Sequence, residues 1–314
     1  MIECEKLTKR FDDFTAVQEL SLQVGQGELL ALLGPNGAGK TTTVRMLSAI
    51  LRPTSGWARI NGHDVVAEAD QVRRAIGMLT EQPGLYSRSS GLEYLLFYGR
   101  LYGMSDAEIE KRGHALFDRF DMPDTIHRRL GEYSKGMRQK VGIIRAMLHN
   151  PAVLLLDEPT SAMDPHSAKL VRDSISELKH DQRTIIVCTH NLAEAEMLAE
   201  RIAIIKRGQI VAEGNPTELK RQLLGRPQLE VQVDRPLNGQ MKELEDLITI
   251  EWVSDNIIRF RADNPTITNP QLVNRLVGLG LGVVSLQEIS QSLEDVYLRV
   301  VSGGTEVKSN QVIG

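Results

Sequence analysis

The chain is short of several things, and each shortage excludes something. Only two cysteines, Cys4 and Cys188, occur in 314 residues. They form neither a metal-binding spacing nor a disulfide framework, which points to a reduced, cytoplasmic setting. No run approaches about eighteen apolar residues, so no membrane-spanning helix is expected. The start, Met-Ile-Glu-Cys-Glu-Lys, lacks the basic-then-apolar pattern of a secretory leader. Positive charge is not in excess: the formal net charge is −4, which argues against direct nucleic-acid binding. Work at a membrane would therefore need a separate membrane partner. What remains is ordinary globular composition, 41% hydrophobic and 25% charged, long enough for two domains.

The segment Gly34-Pro35-Asn36-Gly37-Ala38-Gly39-Lys40-Thr41 fits the phosphate-loop pattern G-x-x-x-x-G-K-[ST] in full. Its glycines let backbone N–H groups turn inward toward phosphate oxygens. Lys40 adds a point charge, and Thr41 offers a hydroxyl to Mg²⁺. A largely apolar run, Glu28 to Leu33, precedes it, and a helically spaced segment from Thr42 to Ile50 follows. Strand, glycine loop and helix place the phosphates at a helix N-terminus.

Further along, short strands fill 2–34, with turns at Asp12-Asp13 and around Gly25-Gln26-Gly27. The stretch from Trp57 to Val66 adds a strand around the turn Asn61-Gly62. The pattern turns helical from Ser90 to about Arg129, with a capping-box start at Ser105. Val153–Leu156 and Thr184–Cys188 are continuous apolar strands separated by a helix, which is βαβ logic and a parallel sheet. After about residue 219 the order β-α-β-β-α-β predicts a small ferredoxin-like domain. Its helices are expected at 238–247 and 270–279, and a last helix at 292–300.

Two further motifs carry chemistry. In Val153-Leu-Leu-Leu-Asp157-Glu158-Pro159 a buried strand runs into two acids: Asp157 suits a hydrated Mg²⁺, and Glu158 suits the polarisation of an attacking water. Tyr133-Ser134-Lys135-Gly136-Met137 opens a helix that Ser134 can cap. With Ser161-Ala-Met-Asp164 and His190, these motifs occur in the order and spacing of the ATP-binding subunits of ABC transporters, which the chain resembles over about 1–219.

The resemblance implies an α/β fold: a P-loop ABC ATPase core with an antiparallel β-subdomain and a helical subdomain (about 84–150). A small α+β ferredoxin-like C-terminal domain (220–301) and a flexible tail (302–314) follow. It implies ATP and Mg²⁺ as ligands and a head-to-tail homodimer. In that dimer Ser134 and Gly136 of one copy meet the nucleotide held by the other, through Gly34 to Thr42. Asp164 would sit at the dimer contact, and His190 would reach the γ-phosphate. Phe11 matches the aromatic that stacks on adenine, with Phe14 as competitor. The hinge residue near the metal is assigned to Glu81, where the family has glutamine, with Gln82 as the alternative. Lys135 and Met137 also depart from the family's Leu-Ser-Gly-Gly-Gln. Leu293-Glu-Asp-Val-Tyr297 and Pro83-Gly-Leu-Tyr86 resemble an exporter branch that includes drug-resistance ATPases. Its members pair with a separate permease at the cytoplasmic face of the membrane. An ABC-type ATPase acting on ribosomes or DNA is the competing reading, though the chain shows neither a second cassette nor a coiled-coil insertion.

Overall fold

The computed structural model describes residues 1–161, 163–178, 182–237, 240–289 and 292–302. Ala162, His180 and all of the tail expected to be loose over 302–314 except Ser302, which ends a helix, lie outside them. The chain divides into two compact units, Met1–Pro216 and from Thr217 onward.

The first unit begins with β1 (Ile2–Phe11), β2 (Phe14–Val24) and β3 (Leu29–Leu33), followed by α1 (Lys40–Leu47). Then come β4 (Ser55–Ile60), β5 (His63–Asp64), α2 (Ala69–Ala75) and β6 (Ile76–Leu79). Three helices follow: α3 (Gly91–Leu101), α4 (Asp106–Arg119) and α5 (Lys135–Met147). The unit closes with β7 (Val153–Asp157), α6 (Pro165–Glu177), β8 (Thr184–Thr189), α7 (Leu192–Leu198), β9 (Arg201–Lys206) and β10 (Gln209–Gly214).

Two sheets organise these strands. β1, β2, β4 and β5 make an antiparallel sheet in the order β2-β1-β4-β5. The other has the order β10-β9-β3-β8-β7-β6 and is parallel except for the β9–β10 hairpin. Every residue of β3, β7 and β8 is buried, as their unbroken apolar runs require of a parallel sheet covered on both faces. Each such Leu, Ile or Val contributes roughly 1.5–3 kcal/mol by leaving water. Local capping sets the helix starts. Ser90 and Glu93 form a reciprocal capping box at α3, whereas at α4 Ser105 accepts from the Glu108 N–H.

The second unit contains α8 (Pro216–Leu224), which starts at the boundary, then β11 (Gln228–Val233), β12 (Thr249–Val253) and β13 (Ile257–Arg261). It ends with α9 (Pro265–Gly278), β14 (Val283–Glu288) and α10 (Leu293–Ser302). Its sheet is antiparallel in the order β12-β13-β11-β14. Two expectations change here. In place of a helix over 238–247 there is one 3₁₀ turn, Gln240–Glu243, continued by i→i+3 bonds from Leu244 and Leu247; residues 238 and 239 are outside the description. And α9 starts five residues earlier than expected, at Pro265, which occupies the first turn where a missing N–H costs nothing. Pro270, read as the start, lies inside the helix.

Candidate functional site

Parallel pairing brings the carboxyl ends of β3, β7 and β8 side by side, with Leu33 opposite Thr189 and Asp157 opposite Cys188. The loops leaving these ends border a cavity of about 480 Å³. This is where open α/β sheets bind ligands.

One wall is the glycine loop, from Asn36 through Gly37, Ala38, Gly39, Lys40 and Thr41 to Thr42. Gly39 caps α1 with φ 107°, and a Cβ there would lie 2.6 Å from Ala16 O, so no other residue fits. The first amides of α1 have no helical partners, which makes this end an anion site. Gly34 and Pro35, expected among the phosphate contacts, do not line the cavity. Their carbonyls instead accept from Lys40 Nζ at 2.7 and 3.2 Å. A side chain at Gly34 would collide with the Ile205 carbonyl of the neighbouring strand. Lys40 is buried, and its Nζ lies 3.9 Å from Glu158 Oε1.

Opposite the loop stand three carboxylates, Glu81, Asp157 and Glu158. Thr41 Oγ1 donates to Asp157 Oδ2 at 2.8 Å. Asp157 Oδ1 is buried and has no hydrogen-bond partner among the described residues. Burial pushes the Asp157 carboxyl above its ordinary pKa, and Glu81 pushes it further. The orphaned buried Asp157 Oδ1 and the Thr41 hydroxyl are hard oxygen donors of the kind a divalent cation takes, though among the described residues no three acidic or histidine side chains close around one point. Glu81 lines this wall and Gln82 does not.

Glu158 is 9% exposed. Its Oε1 lies 2.8 Å from His190 Nδ1, which donates when that nitrogen carries the proton. Burial raises the Glu158 pKa, while the His190 hydrogen bond pulls it back. A carboxylate made more basic, and aimed at a polar cavity, can accept a proton from water. Beneath this pair, Glu194 is buried and accepts from Thr160 Oγ1 and Thr189 Oγ1, each at 2.6 Å. It ties the loop after Glu158 to the strand end before His190. No sequence pattern marked Glu194, because Thr160 lies 34 residues away and meets it only in the fold.

Other expected residues lie elsewhere. The aromatic ring on the cavity wall is Phe14, beside Ala16; Phe11 is not on it. Phe11 pairs with Phe14 across the β1–β2 turn, and the Lys9 ammonium sits 5.0 Å from its ring. Ser134 and Gly136 are at the start of α5, outside this cavity, with Ser134 Oγ accepting from the Met137 N–H at 3.2 Å. Asp164 is exposed and caps α6, accepting from the Ser167 N–H, which lowers its pKa.

A family model described as ABC transporter matches residues 17–161. The uncharacterized ABC transporter ATP-binding protein YxlF of Bacillus subtilis is 36% identical over 302 residues, covering 96% of this chain and 99% of the relative. The chain belongs to the ABC transporter family. As an ABC ATP-binding subunit it is an ATPase, and cassettes of this family pair with one another and work with a membrane permease. A second model, described as ATP-binding protein DrrA1-3-like, C-terminal domain, matches residues 214–301. The daunorubicin/doxorubicin resistance ATP-binding protein DrrA of Streptomyces peucetius is 35% identical, over 99% of this chain and 95% of its own. Among solved structures, a dimeric ATP-binding cassette in a post-hydrolysis state, bound to ADP and Pi, shares the ABC fold. It superposes with a TM-score of 0.64 at 26% identity, covering 68% of this chain and 98% of that one. Among the described residues no helix is long and apolar enough to cross a membrane.

Proposed function

We propose that two copies of this ABC subunit close head to tail on two Mg-ATP molecules, and that hydrolysis reopens them to drive export through a separate permease. The observation that carries this reading is a division of the motifs. Glycine loop, Asp157, Glu158 and His190 share one cavity, while Ser134 and Gly136 head a helix outside it. A helix N-terminus with Ser134 at its cap suits an incoming phosphate, and a second copy is what would supply one.

The roles follow from the side chains. Amides of 36–42 and Lys40 bind the phosphates, and Phe14 stacks on the base in place of Phe11. The orphaned Asp157 Oδ1, the Thr41 hydroxyl and nearby Glu81 fit magnesium, which neutralises phosphate charge when bound. Glu158 accepts the proton of the attacking water, and His190 orients that carboxylate. Asp164 lies in the loop that would reach the partner copy. Export is supported by similarity to the drug-resistance relative, and docking to a permease would hold the chain at the cytoplasmic face of the membrane. The docking surface we assign to the groove of about 300 Å³ lined by Met78, Tyr98, Tyr102 and Arg145, beside exposed Tyr86 and Phe97.

The test is Glu158→Gln. With Mg-ATP it should bind nucleotide and accumulate as a dimer by light scattering, while hydrolysis drops at least about 100-fold. Unchanged turnover would sink the assignment of Glu158.

A further inference from the structure

Glu158 has φ +51°. A left-handed backbone costs a residue with a side chain about 1–2 kcal/mol, so its surroundings must hold it there. Three groups do so. The Glu158 N–H donates to Cys188 O at 2.9 Å, on the neighbouring strand β8. The Glu158 carbonyl accepts from the Ser161 N–H at 3.1 Å and from Gln139 Nε2, a side chain of another element, at 3.1 Å. Gln139 is 5% exposed and lies on α5, about one turn beyond Ser134 and Gly136. A buried side-chain amide needs a partner, and here the partner is the peptide whose orientation sets the direction of the Glu158 side chain. That side chain ends on His190.

We infer that Gln139 is a positioning residue for hydrolysis. By holding the Glu158 carbonyl it keeps the left-handed turn and aims the carboxylate at the reacting water. α5 then serves two sites at once: its N-terminus faces the nucleotide of the other copy, and its second turn fixes the base of its own. The role at the nucleotide of the other copy rests on the pairing proposed above.

The test uses the full chain and two substitutions. Gln139→Met keeps the length without a donor, and Gln139→Glu puts an acceptor where the donor was. Each is assayed at a temperature where circular dichroism shows it folded. The kcat for ATP hydrolysis should fall about tenfold in both, the value of one lost hydrogen bond, with the KM for ATP within about twofold. Adding Gln139→Met to Glu158→Gln should cause no further loss, since both act through the same carboxylate. A kcat within about twofold of the parent in both single variants, or a further tenfold fall in the double variant, overturns the inference. Failure of Glu158→Gln to dimerise with ATP would remove the paired reading alone and leave the kcat result standing.

Discussion

His190 Nδ1 meets Glu158 Oε1 at 2.8 Å, so the ring fixes the direction of the carboxylate. The hydrogen bond and the partial charge of the ring lower the Glu158 pKa, against the larger upward push of burial. In His190→Ala that lowering is lost. Glu158 must be ionised to accept a proton, so the acid limb of kcat should move to higher pH in the variant. A pH–rate profile checks this; an acid limb that stays put would separate the two residues functionally.

Asp157 illustrates a cost of function. Burial raises its folded pKa above the unfolded value. The charged form is therefore disfavoured in the fold, and the penalty is present at neutral pH and vanishes as pH falls through both values. Asp157→Asn should raise stability by about 1 kcal/mol at pH 7.5 in a chelator, while abolishing Mg-dependent turnover. Urea unfolding reads the first effect and ATPase assay the second.

His149 stacks face to face on Tyr102 with centroids 3.7 Å apart, and its Nε2 donates to Ile76 O at 2.9 Å. Burial holds its pKa down at about 4. The unfolded ring takes its proton near the ordinary value of about 6.5. Stability should therefore fall as pH drops from there toward 4, by roughly 2 kcal/mol after allowing for solvent screening. His149→Gln keeps a donor for Ile76 and should show a shallower fall between pH 7 and pH 4.5 in urea titrations. An unchanged fall would assign the acid sensitivity to other groups.

Phe14→Ala should raise the KM for ATP about tenfold, the scale of one base–aromatic stack, and Phe11→Ala should leave it within about twofold. The opposite ranking would return the adenine contact to Phe11.

Tyr86 is exposed and makes edge contacts with Tyr94 and Phe97, with ring centroids 6.1 and 5.9 Å apart. Leu85→Ala with Tyr86→Ala should reduce transport by a co-expressed permease while basal ATPase activity stays within about twofold. Loss of ATP binding instead would tell against the groove as a docking surface.

The legible parts of the site were those where chemistry is local in sequence. Asn36 to Thr42 is one turn feeding one helix, and Asp157-Glu158 ends one strand, so residue types and spacing suffice to bring them to one cavity, whereas Gly34 and Pro35 lie off it. Phe11 against Phe14 was not decidable that way. Both flank the same turn, and only the β1–β2 register and the packing of β2 say which ring meets the cavity. Gln139 and Glu194 read as ordinary helix residues, because Glu158 and Thr160 reach them only in the fold, while Thr189, five residues before Glu194, carries no pattern that marks the contact. In the second unit the strands were plain from alternation, as in Leu229, Val231 and Val233, which are buried in turn. The helix boundary was not, since Pro265 and Pro270 both make acceptable first-turn residues.

The position of β8 between β3 and β7 has a consequence for how the protein is made. About 150 residues separate Leu33 from Thr184. At about 5–20 residues per second, a ribosome takes roughly 8–30 s to deliver the missing central strand. Throughout that interval β3 carries an unpaired apolar edge, joined by that of β7 only once Asp157 has been made, and such an edge is the kind of surface that recruits chaperones or aggregates. The phosphate loop is thus translated early but finished late, and any nascent chain released before Thr184 lacks the strand that joins its two halves.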